Sequence, residues 1–211
     1  MKALLLLKPI NIGFLPYNYN YMVSSLIHSY GDLHDLKGMK FTFYLDVNNC
    51  IKTKNYIRID KEIVLIVSTT HEALINNIKG EYLTIGKIKF AIMRKEITDD
   101  NIVSQYNMFQ TLSPIVVSKR GDKYEDYLSP QDEDYVENFK RITIRKGGGD
   151  VDIIIPEQPL ASKLIDIKGI KIRGYMFTFL IKGDIKTISN NYTNGFGNKT
   201  SQGFGFVEKI A

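Results

Sequence analysis

The chain has 211 residues, 44% of them apolar, and its 28 lysines and arginines against 23 aspartates and glutamates leave a net charge of +5. That size allows one or two domains, and that apolar content supplies a buried core, which excludes wholesale disorder. Apolar runs such as residues 3–7 fall far short of the ~18–20 residues of a membrane helix, and the single cysteine, Cys50, excludes an internal disulfide framework and a multi-cysteine zinc site. Lys8-Pro9 interrupts the first apolar run too early for a secretory signal. A soluble, cytoplasmic chain is expected, with no membrane contact.

Residues 2–7 read as a strand, followed by a turn at 11–13. Pro16 suits the start of a helix, in which Val23, Leu26, Ile27 and Tyr30 recur at helical spacing, and Gly31 suits a left-handed stop. Residues 40–47, rich in Phe, Thr and Tyr, form a strand, and 56–68 continue the strand pattern. Thr69-Thr70 would cap a short helix through Ile78, ended by Gly80. Residues 82–97 then alternate through Ile85, Ile88, Phe90 and Ile92. The second half repeats this plan less cleanly. A strand at 106–118 bends around Pro114, Ser129-Pro130 opens a helix to Lys140, and Gly147-Gly148-Gly149 makes a flexible turn. A hairpin of 163–167 and 170–181 turns at Gly169, and a last strand covers 204–210. Two βαββαβ units in succession predict an α+β fold of tandem ferredoxin-like (RRM-like) domains, 1–100 and 101–211, meeting near 98–105.

The positive charge is concentrated. Lys163, Lys168, Lys171, Arg173, Lys182, Lys186 and Lys199 face only Asp166 and Asp184 in their stretch, whereas residues 122–137 are acidic. A chain polarised in this way can offer a basic face to a phosphate backbone; a solvated lysine-rich hairpin accounts for the same charges. Near the C-terminus, Gly195-Phe196-Gly197 and Gly203-Phe204-Gly205 flank five polar residues that include Lys199, Thr200 and Ser201. Glycines let backbone approach a ligand, and successive N–H groups make an anion-binding concavity. A long turn with both phenylalanines pinned in the core is the alternative. No helical pattern follows Lys199, so this is not a Walker loop.

Of three histidines, His28 and His34 lie close together, with Lys40 six positions on. His28 should flank the apolar stripe of the first helix, His34 follows in a polar loop, and Lys40 opens a strand. Two imidazoles and an ammonium can supply a general base, a general acid and a phosphate stabiliser; incidental histidines at a helix end fit the spacing too. Two histidines with only Asp32 or Asp35 nearby make a poor metal site. His71 suits a capping or surface position, and Cys50 an ordinary small residue at a strand end.

The glycine loop at 195–205 resembles the C-terminal signature of the CRISPR-associated precursor-crRNA endoribonucleases of the RAMP superfamily. So do Leu15-Pro16-Tyr17-Asn18-Tyr19-Asn20-Tyr21, the segment from His34 to Phe43, and Thr111-Leu112-Ser113-Pro114-Ile115-Val116-Val117, in the family's order. The resemblance implies tandem ferredoxin-like domains and metal-independent cutting of repeat RNA in precursor transcripts, without a cofactor. The 2′-hydroxyl attacks the adjacent phosphate and leaves a 2′,3′-cyclic phosphate and a 5′-hydroxyl end. His34 matches the family's catalytic histidine and Lys40 its catalytic lysine, while His28 falls where some relatives carry tyrosine. Lys168, Lys171 and Arg173 would hold RNA backbone, and Gly195, Gly197, Lys199, Thr200, Ser201, Gly203 and Gly205 would position the repeat. Subunits of a CRISPR effector complex are further partners, and monomer and homodimer both stay open. Two other readings remain: a non-catalytic RNA-binding RAMP subunit, and a small-molecule enzyme on the same fold.

Overall fold

The structure is a computed structural model and describes residues 1–31, 39–99, 103–121 and 125–210. Its first half runs β1 (Lys2–Pro9), β2 (Gly13–Pro16), α1 (Asn20–Ser29), β3 (Phe41–Asp46), β4 (Ile51–Lys52), β5 (Tyr56–Ile59), β6 (Ile63–Thr69), α2 (Glu72–Asn77), β7 (Tyr82–Ile85) and β8 (Ile88–Thr98). The second half runs β9 (Tyr106–Thr111), β10 (Ser118–Arg120), β11 (Glu125–Tyr127), α3 (Tyr135–Gly147), β12 (Val151–Ile154), β13 (Ala161–Ile167), β14 (Ile170–Met176), β15 (Thr178–Gly183), α4 (Ile185–Asn194), a 3₁₀ turn (Thr200–Gln202) and β16 (Val207–Lys209). Among the described residues no helix is long and apolar enough to cross a membrane.

Two antiparallel sheets carry the expected topology. The first has the order β3-β6-β1-β8-β7 and the second β12-β15-β9-β16. In each, the first and third strands of a βαββαβ unit pair centrally, with the second and fourth outside them, which is the ferredoxin-like arrangement. The first unit adds β7 at its edge and a small β2-β5-β4 sheet; the second carries the β13–β14 hairpin as an insert. Strand β1 is central, so Ala3, Leu5 and Leu7 are fully buried while Leu4 and Leu6 are half-covered on the other face. This explains its unbroken apolar run. Each sheet has its own core, and a third cluster of Val116, Ile167, Ile172 and Phe204 ties the hairpin to the glycine loop.

Several boundaries differ from the sequence expectation. The first helix begins at Asn20, because Gly13–Pro16 pairs with Tyr56–Ile59 as a strand. Gly31 is not left-handed; the helix ends on Tyr30 in the right-handed region, and Gly31 instead leaves room for Met39, whose Sδ lies 3.0 Å from the position a Cβ would take. Residues 56–68 and 82–97 are each two strands, the latter broken at Gly86 with φ +61°. The strand from 106 stops at Thr111, and 170–181 divides at Phe177. The helix expected from Ser129 starts at Tyr135 and runs to Gly147, where Gly148 at φ +95° caps it, so the glycine triplet is a helix stop. Only Val207–Lys209 of the last expected strand pairs as one. Helix α4 has no counterpart in the sequence reading. Its Asp184 cap accepts the Thr187 N–H at 2.7 Å, and its polar Asn and Thr residues hide the helical period.

Candidate nucleic-acid interface

Helix α1 turns Asn20, Val23, Ser24 and Ile27 into the first core and carries His28 half-buried in its last turn. The His28 ring meets Phe41, the first residue of β3, edge-on with centroids 5.0 Å apart. Burial there holds the imidazole below its ordinary pKa of 6.5, so His28 is neutral at pH 7 and able to accept a proton. Lys40 immediately precedes Phe41 and is exposed; its carbonyl accepts the Thr69 hydroxyl at 2.6 Å. The fold thus brings His28 to the strand that begins beside Lys40. His34, the third candidate, lies outside the described residues. His71 is exposed at the α2 N-cap without a side-chain cap bond, and Cys50 is buried, which pushes its thiol pKa up.

The glycine loop lies on this same corner. It follows α4 and closes onto β3 and α1: the Thr42 hydroxyl donates to the Phe204 carbonyl at 3.0 Å, and the Asn20 amide to the Gln202 carbonyl at 3.0 Å. This explains why Phe41, Thr42 and Phe43 are all buried, although strand alternation would expose one face. Gly195, Gly197, Gly203 and Gly205 are buried with φ between +72° and +88°. The space a side chain would need is taken by this chain itself: by Thr42 and Thr200 at Gly195, the Val116 carbonyl at Gly197, Asn20 and Phe43 at Gly203, and Phe196 backbone at Gly205. Phe196 and Phe204 are fully buried, as the core-pinned alternative required. Lys199, Thr200 and Ser201 remain half-exposed at the tip, with Lys199 left-handed and its ammonium 2.8 Å from Glu125.

The hairpin turns at Lys168-Gly169, both at positive φ as a tight type I′ turn demands, with Asp166 accepting the Gly169 N–H at 2.8 Å. The Lys168 ammonium sits 4.7 Å from the centre of the Tyr21 ring on α1, so the hairpin tip touches the helix that carries His28. Lys171 and Arg173 are exposed along β14. Part of the expected charge polarity is cancelled, since Lys182 pairs with Asp152 and Lys199 with Glu125 of the acidic stretch. What remains basic is the hairpin, together with Lys186 on α4. Between hairpin and first sheet runs a cleft of about 400 Å³ lined by Tyr17, Tyr19, Tyr44, Lys52 and Lys163. Among the described residues no group of three or more His, Cys, Asp or Glu side chains could hold a metal ion.

Sequence reasoning missed Lys146. In the last turn of α3, its ammonium donates to the Gly195 carbonyl at 3.0 Å, and burial with Lys40 and Arg145 alongside pulls its pKa down to about 7. An inward-facing lysine on a polar helix leaves no trace in a single sequence.

Residues 93–209 match the family described as CRISPR associated protein Cas6, C-terminal, over more than half of the chain. The chain belongs to this Cas6 family. It is similar to CRISPR-associated endoribonuclease Cas6 1 of Methanocaldococcus jannaschii, 26% identical over 239 residues that cover 100% of this chain and 93% of that one. A solved structure from a Cas6-related gene of Pyrococcus furiosus superposes with a TM-score of 0.84 at 25% identity, covering 100% of this chain and 98% of the other. Another, described as a RAMP protein binding different RNA substrates, has a TM-score of 0.80 at 24% identity over 100% of both chains. That likeness is one of fold: tandem ferredoxin-like units of the Cas6 and RAMP kind.

Proposed function

We propose that this Cas6 protein is a metal-independent endoribonuclease that cuts the repeat RNA of precursor CRISPR transcripts. The observation that carries the reading is the convergence of a neutral, half-buried His28, the head of β3 beside Lys40, the glycine loop and the basic hairpin tip on one corner of the molecule. Cleavage through the RNA's own 2′-hydroxyl needs a base on one side of the phosphorus and an acid on the other. One imidazole of the pair His28 and His34 takes the 2′-hydroxyl proton, the 2′-oxygen bonds to phosphorus, and the bond to the 5′-oxygen breaks. The other imidazole protonates that leaving oxygen, and the products are a 2′,3′-cyclic phosphate and a 5′-hydroxyl. The Lys40 ammonium offsets charge growing on the non-bridging oxygens.

In this reading Lys168, Lys171 and Arg173 grip the backbone, while Lys199, Thr200 and Ser201 face RNA on a loop shaped by Gly195, Gly197, Gly203 and Gly205. Bases stack in the tyrosine-lined cleft. Residues 1–100 supply the proton-transfer groups and 101–211 most of the grip. The working compartment is the cytoplasm, and effector-complex subunits receive the product. The test incubates repeat RNA with excess EDTA and with a 2′-deoxy nucleotide at the mapped cut. Cleavage that survives EDTA and stops at the deoxy position is expected; cleavage of the deoxy substrate refutes the nucleophile. Tight binding with no product from any repeat RNA would make the protein a non-catalytic RNA-binding subunit.

A further inference from the structure

Lys146 occupies a position that costs the fold energy. A cation at a helix C-terminus normally reaches into solvent and favours the dipole from there. This side chain turns inward to the Gly195 carbonyl, and it borders a cavity of about 580 Å³ shared with Thr70, Lys186, Ser189 and Asn190. Gly195 abuts Thr42, two residues along β3 from Lys40, so the ammonium stands where the loop meets the head of that strand. Lys119, Lys140, Lys182 and Lys199 each have a carboxylate within 4.0 Å; among the described residues Lys146 has none. The charged groups around it are Lys40, Arg145 on its own helix, Lys186 on α4 and, lining the cavity, Glu72, Asp99 and the Met1 amine, the last two paired at 3.4 Å. Glu72 and Asp99 offset part of the cavity's positive charge, but the Lys146 ammonium, with Lys40 and Arg145 beside it and no described carboxylate within 4.0 Å, stays poorly compensated until an anion joins it.

We infer that Lys146 is an RNA contact of the cleavage site: its ammonium binds a backbone phosphate next to the one that Lys40 faces. The strand then passes from Lys40 across Gly195 toward Lys186 and the polar face of α4. This assignment rests on the endoribonuclease reading and deepens it. A bound phosphate supplies the missing counter-charge and raises the depressed pKa of the ammonium, so RNA binding takes up a proton near neutral pH.

The test uses the full chain and the repeat RNA of the CRISPR array in the same genome, with a 2′-deoxy nucleotide at the cut to prevent turnover. Lys146→Gln keeps a donor for Gly195 and drops the charge. At pH 6.5 it should weaken binding about tenfold or more and reduce the slope of log affinity against log salt by about 0.7, the value of one lost single-strand phosphate contact. Lys146→Arg should keep the slope. Wild-type affinity should decline above about pH 7, and that of Lys146→Arg should not. An unchanged slope in folded Lys146→Gln overturns the inference. If that variant does not fold, parallel alkaline declines in the wild type and Lys146→Arg overturn it. A wild type that neither binds nor cuts the RNA sinks the endoribonuclease reading itself, a different outcome.

Discussion

Replacing Gly205 with alanine asks whether the glycine loop is a structural joint. Gly205 is buried at φ +72°; its N–H donates to the Pro114 carbonyl at 2.9 Å and its carbonyl accepts the Phe196 N–H at 2.9 Å. A methyl group there would fall inside the contact sphere of the Phe196 carbonyl oxygen, with the Phe196 nitrogen 2.9 Å away. These are backbone atoms that no rotamer change can move. The left-handed conformation alone costs a non-glycine residue ~1–2 kcal/mol. Relieving the overlap separates the two backbone segments, and each hydrogen bond broken with its groups still buried costs ~1–3 kcal/mol. With both bonds lost the total is about 3–8 kcal/mol, a large part of a domain's ~5–15 kcal/mol margin. Gly169→Ala is the control. At φ +84° with nothing within 4 Å of the new methyl group, it bears only the conformational cost of ~1–2 kcal/mol. Equilibrium unfolding in urea, followed by circular dichroism, should separate the two variants by about 2 kcal/mol or more. If Gly205→Ala unfolds within about 1 kcal/mol of Gly169→Ala while losing RNA affinity, the glycine serves ligand approach and the packing argument is wrong.

Other outcomes follow from the same geometry. His28→Gln should slow single-turnover cleavage by ~10²-fold or more at pH 7 with RNA affinity unchanged; an unaltered rate removes His28 from proton transfer. Because burial lowers the His28 pKa, the unfolded chain binds this proton first as pH falls. The stability due to neutral His28 is therefore present above pH 6.5 and lost progressively below it. Urea midpoints of wild type and His28→Gln between pH 7 and 5 should differ in slope accordingly. Thr42→Val leaves the buried Phe204 carbonyl without its 3.0 Å donor and should cost about 1–3 kcal/mol in thermal melts. Changing Lys168, Lys171 and Arg173 together to glutamine should cut the salt slope of RNA binding by about 2. The melting temperature should change little, since all three are exposed.

The fold was legible where apolar spacing is local. The buried run of β1, the stripe of Val23 and Ile27, and the Lys168-Gly169 hairpin are all dictated by nearby residues, and two βαββαβ units followed from their order. Errors occurred where a distant partner decides. Residues 13–16 look like a helix approach until Tyr56–Ile59 offers them a ladder. Helix α4 has the right cap in Asp184, but Thr187, Asn191, Thr193 and Asn194 bury polar groups that hydropathy reads as surface. The Asn191 amide donates to the Thr187 carbonyl of its own helix and to the Thr143 carbonyl, and the second bond exists only once α3 is in place.

The candidate site was legible to a different depth. Spacing brought out His28 and Lys40, and the structure sets both at the head of β3. The glycine pattern announced an unusual backbone, but a missing Cβ does not say what occupies its place. At Gly203 the occupant is Asn20 and Phe43 of the first half; at Gly197 it is the Val116 carbonyl. A loop whose glycines are filled by its own chain positions Lys199, Thr200 and Ser201 by fitting one half of the molecule to the other. Substitutions at these glycines should therefore abolish RNA handling together with stability. Substitutions at the tip should affect RNA alone, and comparing melting temperature with affinity across the two sets separates joint from contact.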